Sequence, residues 1–391
     1  MEPRPVADDV QWVGAVDWDR RLFDELIPLP DGTSYNAYVV RGTDKTALID
    51  TVDPPMTETL RARLAGAGVE RLDYVICQHA EQDHSGALPR LLAEHPEAQV
   101  LATPKCTDML AALLEVPPAR MRGVEDGESL DLGGRTLQFI HFPWVHWPET
   151  MLTWMPAQRL LFTCDLFGSH LATSDLYAGD PAAVLSSAKR YYAEIMMPFR
   201  AIIQKNLHKV TDLDPACIAP SHGPVYGDPR LILAAYADWV GAPPKNLVLV
   251  PYISMHDSTR LLVEHFVESC ARRNVRVEQV DLAHADIGKL AILLVDAATV
   301  VLGTPVVLGG PHPSVAYAAY LANALRPKTR YLAVIGSFLW GGKVADQLAA
   351  MTANLKAEVL PPVLCKGLPQ ADTLAALDRL AATIAARHAA L

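Results

Sequence analysis

At 391 residues the chain is long enough for two domains, each with its own core. Half of its residues are apolar, a fifth are charged and the formal net charge is -10, which sets aside nucleic acid and anionic membrane surfaces as partners. Six cysteines are scattered with no Cys-x-x-Cys pair, which excludes a disulfide framework, a zinc ribbon and a rubredoxin-type iron site within the chain. The N-terminus, MEPRPVADDVQW, has acids and prolines where a signal peptide needs a basic start and an apolar core. The most apolar long stretch, LAILLVDAATVVLG, is interrupted by Asp296 and is too short to span a bilayer. A cytoplasmic, reduced protein with no membrane association is expected.

In the first half, short strand-like runs dominate: YNAYVV, KTALID, DYVIC, QVLAT, TLQFIHF, MLTWMP and RLLFTCD. Helical patterns in SGALPRLLAEH and TDMLAALLEV are interleaved with them. Runs of strands with helices added predict two sheets sandwiched between helices, an αββα arrangement. GAPPK at 241–245 places a glycine and two prolines between two apolar periodic regions and reads as a linker, dividing the chain into domains 1–243 and 246–391. Beyond it, NLVLVPY, RVEQVDL, ATVVLGTPV and RYLAVIGSF alternate with amphipathic runs such as STRLLVEHFVESCARR and VADQLAAMTANL. That texture predicts a doubly wound parallel sheet covered on both faces. The Ala-rich tail reads as an amphipathic helix lying on that sheet.

HAEQDH, residues 79–84, follows the buried run DYVIC, with the strand expected to end at Gln78 and Ser85 to cap the next helix. His79, Glu81, Asp83 and His84 then lie on one strand-to-helix loop, where turns aim several side chains at one point. Three further residues are predicted at the same edge: His146 in FPWVHWPETMLTW, Asp165 after RLLFTC, and His222 on the turn of CIAPSHGPVYG. Each of these histidines alone is more often a structural residue; their common placement at strand exits is what points to metal. Four imidazoles and three carboxylates exceed the needs of one tetrahedral zinc but suit two adjacent ions sharing a carboxylate. A His-x-His-x-Asp-His run would be a two-zinc hydrolase pattern, and here Glu81 stands at its second histidine. Carboxylates and imidazoles without thiolate suit iron or manganese, although affinity alone favours zinc. Three carboxylates with a bridging hydroxide also balance two divalent ions.

HAEQDH, HWPETM, DLFGSH and SHGP at these intervals resemble the flavodiiron proteins, or A-type flavoproteins. GTSYNAYVV…ALIDTVDP and RYYAEIMMPF extend the resemblance over nearly the whole chain. It implies a metallo-β-lactamase-like diiron domain followed by a flavodoxin-like FMN domain. One iron would take His79, Glu81 and His146, the other Asp83, His84 and His222, with Asp165 bridging. The implied reaction is reduction of O2 to water or of NO to N2O.

The second half must then supply electrons. Ser254, Met255, His256, Asp257, Ser258 and Thr259 link the first strand to its helix, and their hydroxyls and the helix N–H groups suit a phosphate. Two further loops follow apolar strands: one carries Thr304, Pro305, Gly309 and Gly310, the other Ser337, Phe338, Trp340, Gly341 and Gly342. Glycines there let backbone approach an isoalloxazine ring while Phe338 or Trp340 stacks on it. Two departures from the family pattern stand out: Asp257 where glycine is common, and no asparagines in the second loop. His170, Tyr191 and Tyr192 are candidates to orient bound species. The electron donor is expected to be a separate protein, such as a rubredoxin or a flavin reductase. The working unit is expected to be a head-to-tail homodimer or a dimer of such dimers. The rival reading is a two-zinc hydrolase fused to a flavodoxin-like module; a third is an inactive electron-transfer or sensing protein.

Overall fold

Alternate residues of the first strands serve two different cores. Val39, Leu48, Val75 and Val100 pack with Leu60, Leu64, Leu88, Leu91 and Leu110 of the covering helices. Their neighbours Tyr38, Val40, Ile49, Ile76 and Leu101 pack with Leu137, Phe139, Met151, Leu160 and Phe162 of a second sheet. Because both faces are buried, the interiors of these strands show no polar side, and Arg41, Thr46 and Gln99 stand at strand ends.

The structure, a computed structural model, describes residues Met1–Leu391. The chain forms two compact units: Met1–Tyr192 with Phe199–Val240, and Gly241–Leu391 with Ala193–Pro198. In the first unit one sheet runs β1 (Arg4–Ala7), β2 (Val10–Trp12), β3 (Tyr38–Arg41), β4 (Thr46–Ile49), β5 (Tyr74–Ile76), β6 (Gln99–Ala102), β7 (Met121–Gly123), in that spatial order. Strands β4 to β7 are parallel. The second sheet is β8 (Ser129–Asp131), β9 (Thr136–His141), β10 (Met151–Met155), β11 (Leu160–Phe162) and β12 (Cys217–Ala219), again in order. Only β11 and β12 of this sheet run parallel. Helices α1 (Thr57–Gly66), α2 (Leu88–Glu94) and α3 (Pro104–Leu114) cover the first sheet. Helix α4 (Pro181–Tyr191) and helix α5 (Arg230–Gly241) follow β11 and β12 respectively.

Two short ribbons lie before β3: Ala15–Asp17 with Thr33–Tyr35, and Leu22–Phe23 with Ile27–Pro28. Between Gly241, the end of α5, and Lys245 only Ala242, Pro243 and Pro244 stand outside regular structure, fewer residues than the expected linker.

The second unit holds β13 (Lys245–Tyr252), β14 (Arg276–Asp281), β15 (Ala297–Val307), β16 (Tyr331–Phe338), β17 (Glu358–Val359) and β18 (Val363–Lys366). The order is β14-β13-β15-β16, with β17 and β18 both on β16, and every one of these pairs is parallel. This is the flavodoxin-like 2-1-3-4-5 arrangement, whose ligands sit at the carboxyl ends of the strands. Helices α6 (Ser258–Ala271) and α10 (Ala371–His388) close one face over Val248, Val250, Val301, Ala333 and Ile335. Between these two helices in the chain come α7 (Ile287–Leu294), α8 (Pro313–Leu325) and α9 (Val344–Met351). The stretch around Asp296 is therefore a helix and a strand, and no helix is long and apolar enough to cross a membrane.

Candidate metal centre

Three ligand-bearing exits share one offset: His79, Asp165 and His222 each stand three residues past the last residue of β5, β11 and β12. These strands end at one edge, so equal offsets bring their side chains to one place. His146 joins them from the loop that enters β10. Glu81 precedes a single helical turn, Gln82–Ser85, which carries Asp83 and His84. That turn is fixed where Thr51 donates both its N–H and its hydroxyl to the His84 carbonyl, each at 2.7 Å. Ser85 does not cap the following helix. Its hydroxyl folds back on the Ala80 and Glu81 carbonyls, and α2 starts without a side-chain cap.

All seven predicted ligands meet in two adjoining groups, His79, Glu81, His146 and Asp165 in one, and Asp83, His84 and His222 in the other. Glu81 Oε2 is 3.0 Å from His79 Nε2 and 3.3 Å from His146 Nε2. Asp83 Oδ2 is 3.1 Å from His222 Nε2, and Asp83 Oδ1 is 3.5 Å from His84 Nε2. Asp165 divides its oxygens, Oδ2 facing the first group and Oδ1 the second. Gly223 makes the last turn: its φ is +77°, and a Cβ there would lie 2.0 Å from Ser169 Oγ.

The electrostatics demand positive charge at this point. Burial lowers the affinity of the His146 and His222 imidazoles for a proton, yet contacts with Asp165 and with Glu81 or Asp83 outweigh it, carrying them up to about 10 and about 9. For Asp165 burial pushes the other way, and the imidazoles of His84, His146 and His222 that face it hold its carboxyl well below the usual range. Both Asp83 oxygens, Asp165 Oδ2 and His84 Nε2 are buried without a hydrogen-bond partner. Converging, buried, unsatisfied donor atoms of this kind fit metal ions, since burying such carboxylates otherwise costs heavily. A third grouping, Asp50, His84 and Cys164, lies behind His84.

The residues around the ligands were only partly foreseen. Tyr191 donates to Asp165 Oδ1 at 2.7 Å. His170 Nδ1 meets Thr33 Oγ1 at 2.9 Å, and its ring packs on Tyr191, Phe23 and His222. Burial and the nearby His222 hold His170 well below its ordinary value, so it stays neutral. Tyr192 is not at the centre; it donates to the Trp239 carbonyl and packs on Tyr236. Two acids that sequence reasoning passed over stand behind the ligands. Glu149 Oε1 is 2.7 Å from His79 Nδ1. Asp50 accepts from the Gln78 N–H and amide and from Ser221, bracing the β5 exit.

In the second unit a cavity of about 260 Å3 opens at the carboxyl ends of β13, β15 and β16. From the first loop it is lined by Ser254, Met255, His256, Ser258 and Thr259, and from the other two by Pro305, Ser337, Phe338 and Trp340. Val306, Leu339 and Gly367 also line it, unforeseen from sequence. Asp257 is absent from the lining: it takes φ +63° and turns its carboxylate to Arg260 Nε at 3.0 Å. Thr304 is buried, accepting the His312 N–H at 3.0 Å. Gly309 and Gly310 belong to a tight hairpin in which Gly310–Pro311 pairs back on the end of β15. Gly341 and Gly342 lie beyond the lining residues of the third loop. Hydroxyls and a helix start at one end and aromatic side chains at the other suit a phosphate-bearing ring cofactor.

Comparison with known proteins places this geometry. A family profile described as "ODP family beta lactamase" matches residues 33–223. A type A flavoprotein of Rhodobacter capsulatus is 35% identical, the match covering 93% of this chain and 86% of that protein. A nitric oxide reductase of Moorella thermoacetica is 34% identical over 99% of both. The solved structure of rubredoxin oxygen:oxidoreductase from the anaerobe Desulfovibrio gigas is similar with a TM-score of 0.94 and 28% identity, over 99% of each chain. Likeness of this degree across both units, with a metallo-β-lactamase-like sandwich followed by a flavodoxin-like sheet, shows that the chain belongs to the flavodiiron, or type A flavoprotein, family of oxidoreductases.

Proposed function

We propose that this oxidoreductase reduces O2 to water, NO to N2O, or both, at two iron ions supplied with electrons through FMN. The observation that carries the reading is Asp165, which offers one oxygen to each ligand group. His79, Glu81 and His146 would hold one ion and Asp83, His84 and His222 the other. Two irons and a flavin, when bound, supply the electron storage and open metal positions that a two- or four-electron reduction requires.

The chain's own groups do the rest. Tyr191 holds Asp165, and burial followed by the Asp165 charge raises its phenol well above the ordinary value, so the proton stays on Tyr191. Phe23 and Trp147 pack edge-on against His222 and His79, surrounding the ligands with apolar surface. Ser254, Ser258 and Thr259 would take the FMN phosphate, and Phe338 and Trp340 the ring. Relatives named nitric oxide reductase and rubredoxin oxygen:oxidoreductase support both gases and a separate donor such as a rubredoxin or a flavin reductase. Six free cysteines suit a reducing, cytoplasmic setting.

Three residues with two prolines join α5 to β13, which favours a short extended spacer over a hinge. Electron transfer needs close approach, so the flavin of one subunit would serve the irons of another in a head-to-tail homodimer, alone or paired into a dimer of dimers. Mixing a variant lacking FMN with one lacking iron, after dissociation and reassociation, should restore turnover; a fully active monomer at high dilution would refute the arrangement.

The main test is metal and flavin analysis followed by anaerobic turnover of each gas by chemically reduced protein. Two irons, one FMN and turnover of at least one gas are expected. Zinc alone, with no gas consumed, would favour the two-metal hydrolase, against which Glu81 speaks.

A further inference from the structure

Three imidazoles that face the metal positions turn their other nitrogens to unlike partners. His79 Nδ1 meets Glu149 Oε1 at 2.7 Å, and the same oxygen accepts the Ala80 N–H at 3.1 Å. His222 Nδ1 meets the uncharged Ser34 carbonyl at 2.7 Å. His84 Nδ1 has only Cys164 Sγ at 3.9 Å and Asp50 Oδ2 at 4.0 Å, and Asp50 is already committed to Gln78 and Ser221. A carboxylate within hydrogen-bond reach therefore backs an imidazole of the first ligand group and none of the two imidazoles of the second.

Glu149 is 2% exposed, and its backbone is pinned where Thr103 Oγ1 donates to its carbonyl at 2.9 Å. It stands three residues after His146, so the turn that delivers one ligand of the first group also braces another. An imidazole that donates its distal N–H to a carboxylate is fixed in one tautomer and becomes a stronger electron donor than one that donates to a carbonyl.

We infer that Glu149 makes the two metal positions unequal: as the positioning residue of His79 it gives the ion held by His79, Glu81 and His146 the tighter grip and the lower reduction potential. With iron bound, the position formed by Asp83, His84 and His222 would then be the easier of the two to reduce, because no carboxylate within hydrogen-bond reach backs its imidazoles. The inference rests on the diiron reading and deepens it.

The test uses iron-loaded protein and two readouts besides turnover: release of iron to a ferrous chelator, and a redox titration followed by electron paramagnetic resonance. In the unmodified protein the two irons should leave in two phases. In Glu149→Gln, which keeps shape and loses charge, the slower phase should accelerate about 10- to 100-fold while the faster is unchanged. The lower of the two potentials should rise. Release of both irons from unmodified protein in a single phase would overturn the inequality even if the variant failed to fold. So would a folded Glu149→Gln with unaltered release and potentials, or one in which both phases accelerate equally. Unmodified protein isolated with zinc or without metal would instead overturn the diiron reading, which keeps the two failures distinct.

Discussion

Tyr191 donates its phenolic hydrogen to Asp165 Oδ1 at 2.7 Å, and that oxygen also lies 3.1 Å from His84 Nε2 and 3.2 Å from His222 Nε2. The other oxygen, Oδ2, lies 3.5 Å from His79 Nε2 and 3.4 Å from His146 Nε2. A neutral donor thus draws on the half of the carboxylate that serves the second ligand group.

Tyr191→Phe removes that donor and nothing else of size. Both irons should remain, and the reduction potential of the centre should fall because Asp165 becomes a stronger electron donor. The sign is opposite to that expected for Glu149→Gln. Loss of the hydrogen bond to a charged group should also lower stability by about 1.5–3 kcal/mol. Denaturant midpoints and the redox titration check both; an unmoved potential would remove Tyr191 from the centre's control.

Asp165→Ala deletes the side chain that reaches both groups. Iron should drop to one ion per chain or none, and any remaining pair should lose its magnetic coupling. Iron analysis with magnetic susceptibility decides this, and two coupled irons in the variant would refute the bridging role.

At the flavin loop, Asp257 occupies a left-handed conformation that glycine adopts without strain, and its charge is neutralised by Arg260. Asp257→Gly should leave FMN affinity equal or improved. Arg260→Ala should weaken it about five-fold at low salt by unmasking the carboxylate beside the phosphate, an effect that shrinks as salt rises. Quenching of flavin fluorescence measures both. Riboflavin, which lacks the phosphate, should bind both variants alike; a deficit of FMN binding in Asp257→Gly would give that carboxylate a direct part in recognition.

His388 ties α10 to the sheet: Nδ1 meets Asn246 Oδ1 at 2.8 Å, and Nε2 meets Thr299 Oγ1 at 2.7 Å. Burial lowers its affinity for a proton below the ordinary value of 6.5. The unfolded chain therefore protonates first, so this contribution to stability is complete above about pH 6.5 and declines as pH falls toward the lower folded value. His388→Gln should flatten that part of the slope. Urea midpoints at about pH 7.5 and about pH 5 test this, and equal slopes in both proteins would count against the tie.

The convergence of the seven candidate residues was legible because four of them crowd one six-residue run and the others follow apolar strands. Glu149 was not. A single glutamate in HWPETM carries no spacing signal, and its role exists only where β5 and the entry to β10 meet, 70 residues apart in sequence. Asp50 was hidden in the same way, as an acid after a strand like any other. Ser85 misled because a serine before a helix is usually a cap, whereas here a one-turn helix intervenes and its hydroxyl turns backward. Residues 1–34 yielded no elements, since strands of two to four residues are too short to show a period. Yet Phe23, on one of these ribbons, packs against His170 and His222. The parallel sheet of the second unit was plain, as long apolar strands alternating with amphipathic helices have few other solutions.

Ser34 closes on His222 across 188 residues, and Asn36 on Pro220 across 184. Ligands of the first group all lie between His79 and Asp165, so a growing chain completes that set well before His222 emerges from the ribosome. If metal enters during synthesis, maturation would have a direction: the first candidate set would be complete earlier, and the second would close only when the last strand of the sandwich returns to the N-terminal ribbon. Contacts of such sequence separation form slowly, which makes this seam the late step of assembly. Metal uptake by chains stalled before and after residue 222 would separate the two events.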